Sequence, residues 1–116
     1  MYVSGSQRGF FVLHQMKDQL LFRVTECVPL TGLGVLLLGA EVAPLLASLA
    51  LHTALALTLR YSSGRSVAAV ATVEEVARPG ELPVRALLLT QEAAGPVPVG
   101  TEVWWSGTEI GWEQLL

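Results

Sequence analysis

Over residues 45–61 the odd-numbered positions read Leu, Ala, Leu, Leu, Thr, Leu, Leu, Leu, Tyr. The even-numbered positions between them read Leu, Ser, Ala, His, Ala, Ala, Thr, Arg. Successive side chains of an extended backbone point to opposite faces, so the bulky apolar groups collect mostly on one face and the small or polar groups on the other. This pattern predicts strand, with Leu45, Leu49, Leu51, Leu55, Leu57 and Leu59 lining the inside of a β domain. Two helical readings compete. Residues 42–59 carry no Lys, Arg, Asp or Glu, and a run of that length crosses a ~30 Å hydrocarbon core as a helix. Leu45, Leu49, Ala56 and Leu59 would also share one face of an amphipathic helix. Against a membrane span, Pro44 opens the run, and Ser48, His52, Thr53 and Thr58 interrupt it. Period two fits residues 51–61 better than the helical period, and the flanks lack the Lys/Arg asymmetry and aromatic belt that fix a spanning helix. The expectation is a soluble β domain with no membrane contact. A small membrane-associated protein with a helix at 42–59 is the alternative.

With 116 residues, 52% of them hydrophobic and 15% charged, the chain has material for one core and not for two. That composition excludes intrinsic disorder, which needs low hydrophobicity and high charge. Seven basic and ten acidic residues leave a net charge of −3. The only Lys is Lys17, and the six Arg are scattered from Arg8 to Arg85, which argues against broad binding to a phosphate backbone. A single thiol, Cys27, makes no internal disulfide, and with two His it is a poor metal set. The N-terminal residues lack the basic start and apolar centre of a secretory signal. A cytoplasmic protein without metal or cofactor is expected.

Along the chain, residues 1–9 are polar and Gly/Ser-rich and read as a flexible tail, leaving residues 10–116 as a single domain. Strands are expected at 10–13, 20–28, 35–42, 54–60, 67–76, 84–90 and 99–105. Pro29 to Gly34, with Gly32 and Gly34, is a turn joining a hairpin. Residues 61–65, with Gly64, form the clearest turn, between two strand-like runs. Loops are expected at 77–83 and 92–98, and a turn at Gly107 before Ile110, Trp112 and the C-terminal leucines. Six or seven short strands with turn signals between them predict an all-β barrel or sandwich.

The order of these pieces resembles domain 2 of elongation factor Tu and related translational GTPases. There an apolar strand with an acidic position runs into a Gly-x-Gly turn and a strand ending in Gly-x-apolar; an apolar triplet, a loop and Gly-x-x-Val follow. Here the first parts are Phe22-Arg23-Val24-Thr25-Glu26-Cys27-Val28, Gly32-Leu33-Gly34 and Val35-Leu36-Leu37-Leu38-Gly39-Ala40. The later parts are Leu87-Leu88-Leu89 and Val99-Gly100-Thr101-Glu102-Val103, so the likeness spans residues 20–105. The resemblance implies a six- or seven-stranded barrel of the translation-factor domain 2 type and an RNA- or tRNA-end-binding role. The family's basic residue between the two glycines is Leu33 here, and residues 42–61 carry less charge than the family's. Both departures speak against nucleic-acid binding. The chain has no Gly-x-x-x-x-Gly-Lys-Ser/Thr motif, so GTP hydrolysis is not expected.

Little in the chain reads as catalytic. Glu74 and Glu75 are adjacent, and on a strand they face opposite ways, so they cannot form an acid/base couple. His52 lies in an apolar stretch with no carboxylate in register and is expected to be partly buried and hydrogen-bonded; His14 is far away. Cys27 has no nearby cation and reads as a small core residue. A rival enzymatic reading would need Cys27 beside His14 or His52 in one cleft. Gly32, Gly34 and Gly39 open no helix, so they read as turn and bulge residues, not a phosphate cradle. Gly64 and Gly100 are likewise structural. The candidate binding residues are Trp104, Trp105 and Trp112, with Arg60 and Arg65. Adjacent Trp on a strand face opposite sides, so one is core while the other is available for docking or for stacking on a base; alternatively Trp112 folds back to shield them. The RNA reading adds a condition: Arg23, Arg60, Arg65 and Arg78 should cluster on one face. The expected role is a non-catalytic interaction module that docks a protein partner or self-associates, with RNA as the alternative ligand.

Overall fold

The computed structural model describes residues 18–90 and 96–109, the side chains of the last two excepted. Six strands form a closed barrel: β1 (Gln19–Leu30), β2 (Gly34–Gly39), β3 (Ala54–Arg60), β4 (Ser66–Val76), β5 (Val84–Leu89) and β6 (Glu102–Glu109). Their order around the barrel is β1-β2-β5-β4-β3-β6, with β6 closing onto β1, and every neighbouring pair is antiparallel. Among the described residues one short helix, α1 (Pro44–Ser48), lies between β2 and β3.

The interior follows from alternation. Leu55, Leu57 and Leu59 from β3, Ala69, Ala71 and Val73 from β4, and Leu87 and Leu89 from β5 are all buried in one cluster. The pattern is broken usefully in β1, where Leu21 and Phe22 are both buried. A register shift between Leu20 and Phe22 against β6 turns both inward, as a bulge does. Phe22 lies against Gly39, where an added Cβ would sit 2.6 Å from the ring. The absence of a side chain at Gly39 is what admits the ring.

Five of the expected strands coincide with β1 to β5 to within a few residues, and the sixth with β6. The expected strand at 10–13, the tail at 1–9, and Trp112 lie outside the described residues. Four boundaries differ, the first being that the strand expected at 99–105 is Glu102–Glu109, with a turn at residues 99–100 before it. β1 continues through Pro29, which pairs with Val35, so the turn is residues 31–33. The strand expected at 35–42 stops at Gly39. Gly107 sits inside β6, at φ 95°, and does not end it.

The largest correction concerns residues 45–53. They are not extended: Pro44 starts α1 at a position where its missing N–H costs nothing, and a turn over 50–53 follows, with Thr53 Oγ1 donating to the Ala50 carbonyl at 2.7 Å. Of the six odd-numbered leucines, Leu55, Leu57 and Leu59 are core, Leu45 and Leu49 only pack against it, and Leu51 is 42% exposed. Even-numbered Leu46 is fully buried instead. The longer helical readings are corrected too, since α1 spans five residues. Among the described residues no helix is long and apolar enough to cross a membrane. Because α1 is outside the sheet, Leu46 can join the interior of a closed barrel only through an end.

Candidate docking surface

β6 lies between β3 and β1, and its register sets the site. Glu102 is opposite Arg60 of β3 and Arg23 of β1; Trp104 is opposite Thr58 and Leu20. Glu102 and Trp104 are two residues apart on one strand and therefore share the outer face. Trp105 points the other way and is buried in the core, whereas Trp104 is half-exposed. The expectation that the two rings separate is met.

The outer groups are knitted together. The Trp104 indole Nε1 donates to Glu102 Oε1 at 2.9 Å, and Arg23 Nη2 donates to Glu102 Oε2 at 2.9 Å. The Arg60 guanidinium lies 5.4 Å from the centre of the Trp104 ring, within range of a cation–π contact. The hydrogen bond from Trp104, then that from Arg23, holds the Glu102 carboxyl below its ordinary value. Glu102 is thus an anion with both oxygens engaged, and its role is to fix the indole and one guanidinium. The result is a rigid aromatic surface bordered by two cations around one carboxylate.

The other candidates are dispersed. Arg65 is on the turn after β3, where Tyr61 N–H donates to the Arg65 carbonyl at 2.8 Å. Arg78 pairs with Glu26 at 2.8 Å. Arg65 and Arg78 flank opposite ends of the eleven-residue β4, roughly 30 Å apart at strand rise. Arg23 and Arg60 share the Glu102 row; Arg65 and Arg78 do not join it.

His52 departs from expectation. Its φ of 72° is the one left-handed backbone among the described non-glycine residues, and its side chain is 76% exposed, not buried. It also has a carboxylate partner, with Nδ1 3.1 Å from Glu74 Oε1, while Thr72 Oγ1 donates to Glu74 Oε2 at 2.8 Å. The pairing arises because the turn before β3 is clamped to β4, His52 N–H donating to the Val73 carbonyl. Glu74 is half-buried and Glu75 exposed; they face opposite sides, and Glu75, on the side of buried Ala69, Ala71 and Val73, is exposed near the end of β4. Cys27 is half-buried and packs against the core. Among the described residues no three His, Cys, Asp or Glu gather as a metal site.

Glu102 is the residue of the candidate surface that sequence reasoning missed. The available signal was its spacing from Trp104, since residues two apart on a strand share a face. Its second partner, Arg23, is 79 residues away and is visible only once the barrel closes. Compared with protein-family models, with curated proteins and with solved structures, the chain matches none.

Proposed function

We propose that this barrel is a non-catalytic docking module that engages a protein partner, or a second copy of itself, through the β3–β6–β1 wall centred on Trp104. The observation that carries the reading is the half-exposed indole, held by Glu102 and bordered by Arg60 and Arg23. Trp and Arg are the residues most enriched at binding hot spots, and side chains already fixed lose little entropy on association. The reading assigns the protein to the cytoplasm and needs no cofactor.

The translation-factor resemblance supports a second reading, an RNA- or tRNA-end-binding barrel of the domain 2 type. What favours it is a closed antiparallel six-strand barrel carrying an aromatic ring beside cations, a combination that stacks bases. Affinity capture from native extract, with a nuclease-treated parallel, separates the two. Protein docking predicts a partner that survives nuclease and is lost with Trp104→Ala, whose circular-dichroism spectrum stays unchanged. A partner lost with nuclease favours RNA, and capture indifferent to Trp104→Ala removes this wall from either role. Sedimentation velocity across micromolar concentrations tests self-association: a constant monomer mass excludes it.

A further inference from the structure

Five arginines fall in the described residues, and the fold uses four of them. Arg23 and Arg78 pair with carboxylates, Arg85 donates to the Ala47 carbonyl at 3.3 Å, and Arg60 lies over Trp104. Arg65 is exposed, and among the described residues its guanidinium has no partner. It lines an open groove of about 480 Å³ with Tyr61, Ser62, Ser63, Val67, Pro96 and Pro98. That volume is within the ~300–1,000 Å³ of ligand sites.

The chemistry of this lining is one-sided. Every side-chain polar group in it can donate a hydrogen: the Arg65 guanidinium, the Tyr61 phenol and the two serine hydroxyls. Ser63 Oγ accepts from the Arg65 backbone N–H at 3.4 Å, which leaves its own hydrogen for a ligand. Among the described residues no Asp or Glu lines the groove, so an anion there meets one cation and no described carboxylate. The remaining walls are Tyr61, Val67 and two proline rings, which are apolar and stiff. The base of the groove is pinned as well, by the Gly64 N–H donating to the Tyr61 carbonyl and the Thr101 N–H donating to the Pro98 carbonyl. Flat aromatic and proline walls suit an extended, proline-containing backbone, whose own order reduces the entropy lost on binding.

We infer that this groove binds an extended acidic peptide segment, with Arg65 receiving a carboxylate and Tyr61 and the prolines receiving the apolar part of the chain. A nucleic acid is the poorer occupant, because one unpaired guanidinium releases few counterions. The groove shares no lining residue with Trp104, Glu102, Arg60 or Arg23, although Tyr61 directly follows Arg60 in the chain.

Fluorescence anisotropy with the intact protein tests this. The probe is a fluorescein-labelled peptide of alternating proline and glutamate; the comparison replaces each glutamate by glutamine. The glutamate peptide should bind about tenfold more tightly, the worth of one charge-assisted hydrogen bond. Arg65→Gln should erase that difference, and Tyr61→Ala should weaken both peptides alike, with both variants keeping the wild-type circular-dichroism spectrum. Equal binding of the two peptides, binding of neither, or a glutamate preference that survives Arg65→Gln overturns the inference. So does inorganic phosphate or polyuridylate binding through Arg65 when the glutamate peptide does not.

Discussion

Glu102 accepts from the Trp104 indole and the Arg23 guanidinium at once, so its charge is coupled to the geometry of the candidate wall. A carboxyl whose pKa is lower in the folded than in the unfolded chain adds stability above the unfolded value and loses it as pH falls through the folded one. For Glu102 that window opens at its ordinary value of 4.5 and extends downward. Thermal unfolding of the wild type should therefore fall more steeply with acid below pH 4.5 than that of Glu102→Gln; parallel curves would mean the carboxylate is not so engaged. Two glycines make a sharper residue-scale contrast. Gly34 has φ 132°, and a Cβ there would overlap the Leu89 carbonyl oxygen and lie 3.2 Å from Thr90 Cα. Gly64 has φ 92° with nothing within 4 Å. Gly64→Ala should cost about 1–2 kcal/mol, the left-handed penalty alone, and Gly34→Ala at least about 3 kcal/mol, because overpacking against backbone is added. Urea denaturation of the pair would show the gap, and equal costs would refute the steric argument.

At the scale of elements, α1 and β3 share one Leu/Ala-rich stretch yet bury it by different rules. In α1 the buried residue is Leu46 at 0% exposure, while Leu51 in the following turn is 42% exposed. Leu46→Ala should cost about 2–5 kcal/mol in urea denaturation, and Leu51→Ala should stay within about 0.5 kcal/mol. A continuous strand with odd-numbered residues inward demands the reverse order, so the two variants decide between the architectures. The stretch misleads because Leu and Ala satisfy either period, and only Pro44 and the Thr53 turn mark where helix gives way to strand. Over 54–60 and 66–76 the alternation is unopposed, and both strands were legible. Val97 shows the other limit: it is 3% exposed, yet it comes from the loop before β6 and not from a strand, so no periodicity announces it. The candidate wall was half legible for the same reason. Trp104 and Trp105 had to diverge on one strand, whereas the Glu102–Arg23 bond and the His52–Glu74 pair depend on which strands lie side by side.

The whole barrel makes that choice through β6. It is the last described strand, it pairs with β1 and β3, and it places Glu102 between Arg23 and Arg60. Consecutive strands alone would leave Trp104 without either arginine, so the wall exists only in the closed barrel. Closure also removes two edges. Without β6, the facing sides of β1 and β3 would expose unpaired backbone groups, which template association between chains, and the core would lose Val103 and Trp105, at 0% and 6% exposure. A chain ended after Thr90 should therefore lose its cooperative urea transition and elute as aggregate in size-exclusion chromatography. Restoring residues 91–109 should recover both properties, since β6 ends at Glu109. If the shortened chain instead remained monomeric and unfolded cooperatively, the first five strands would be a stable sheet by themselves. The Trp104 wall would then be an attachment to the fold and not a consequence of its closure.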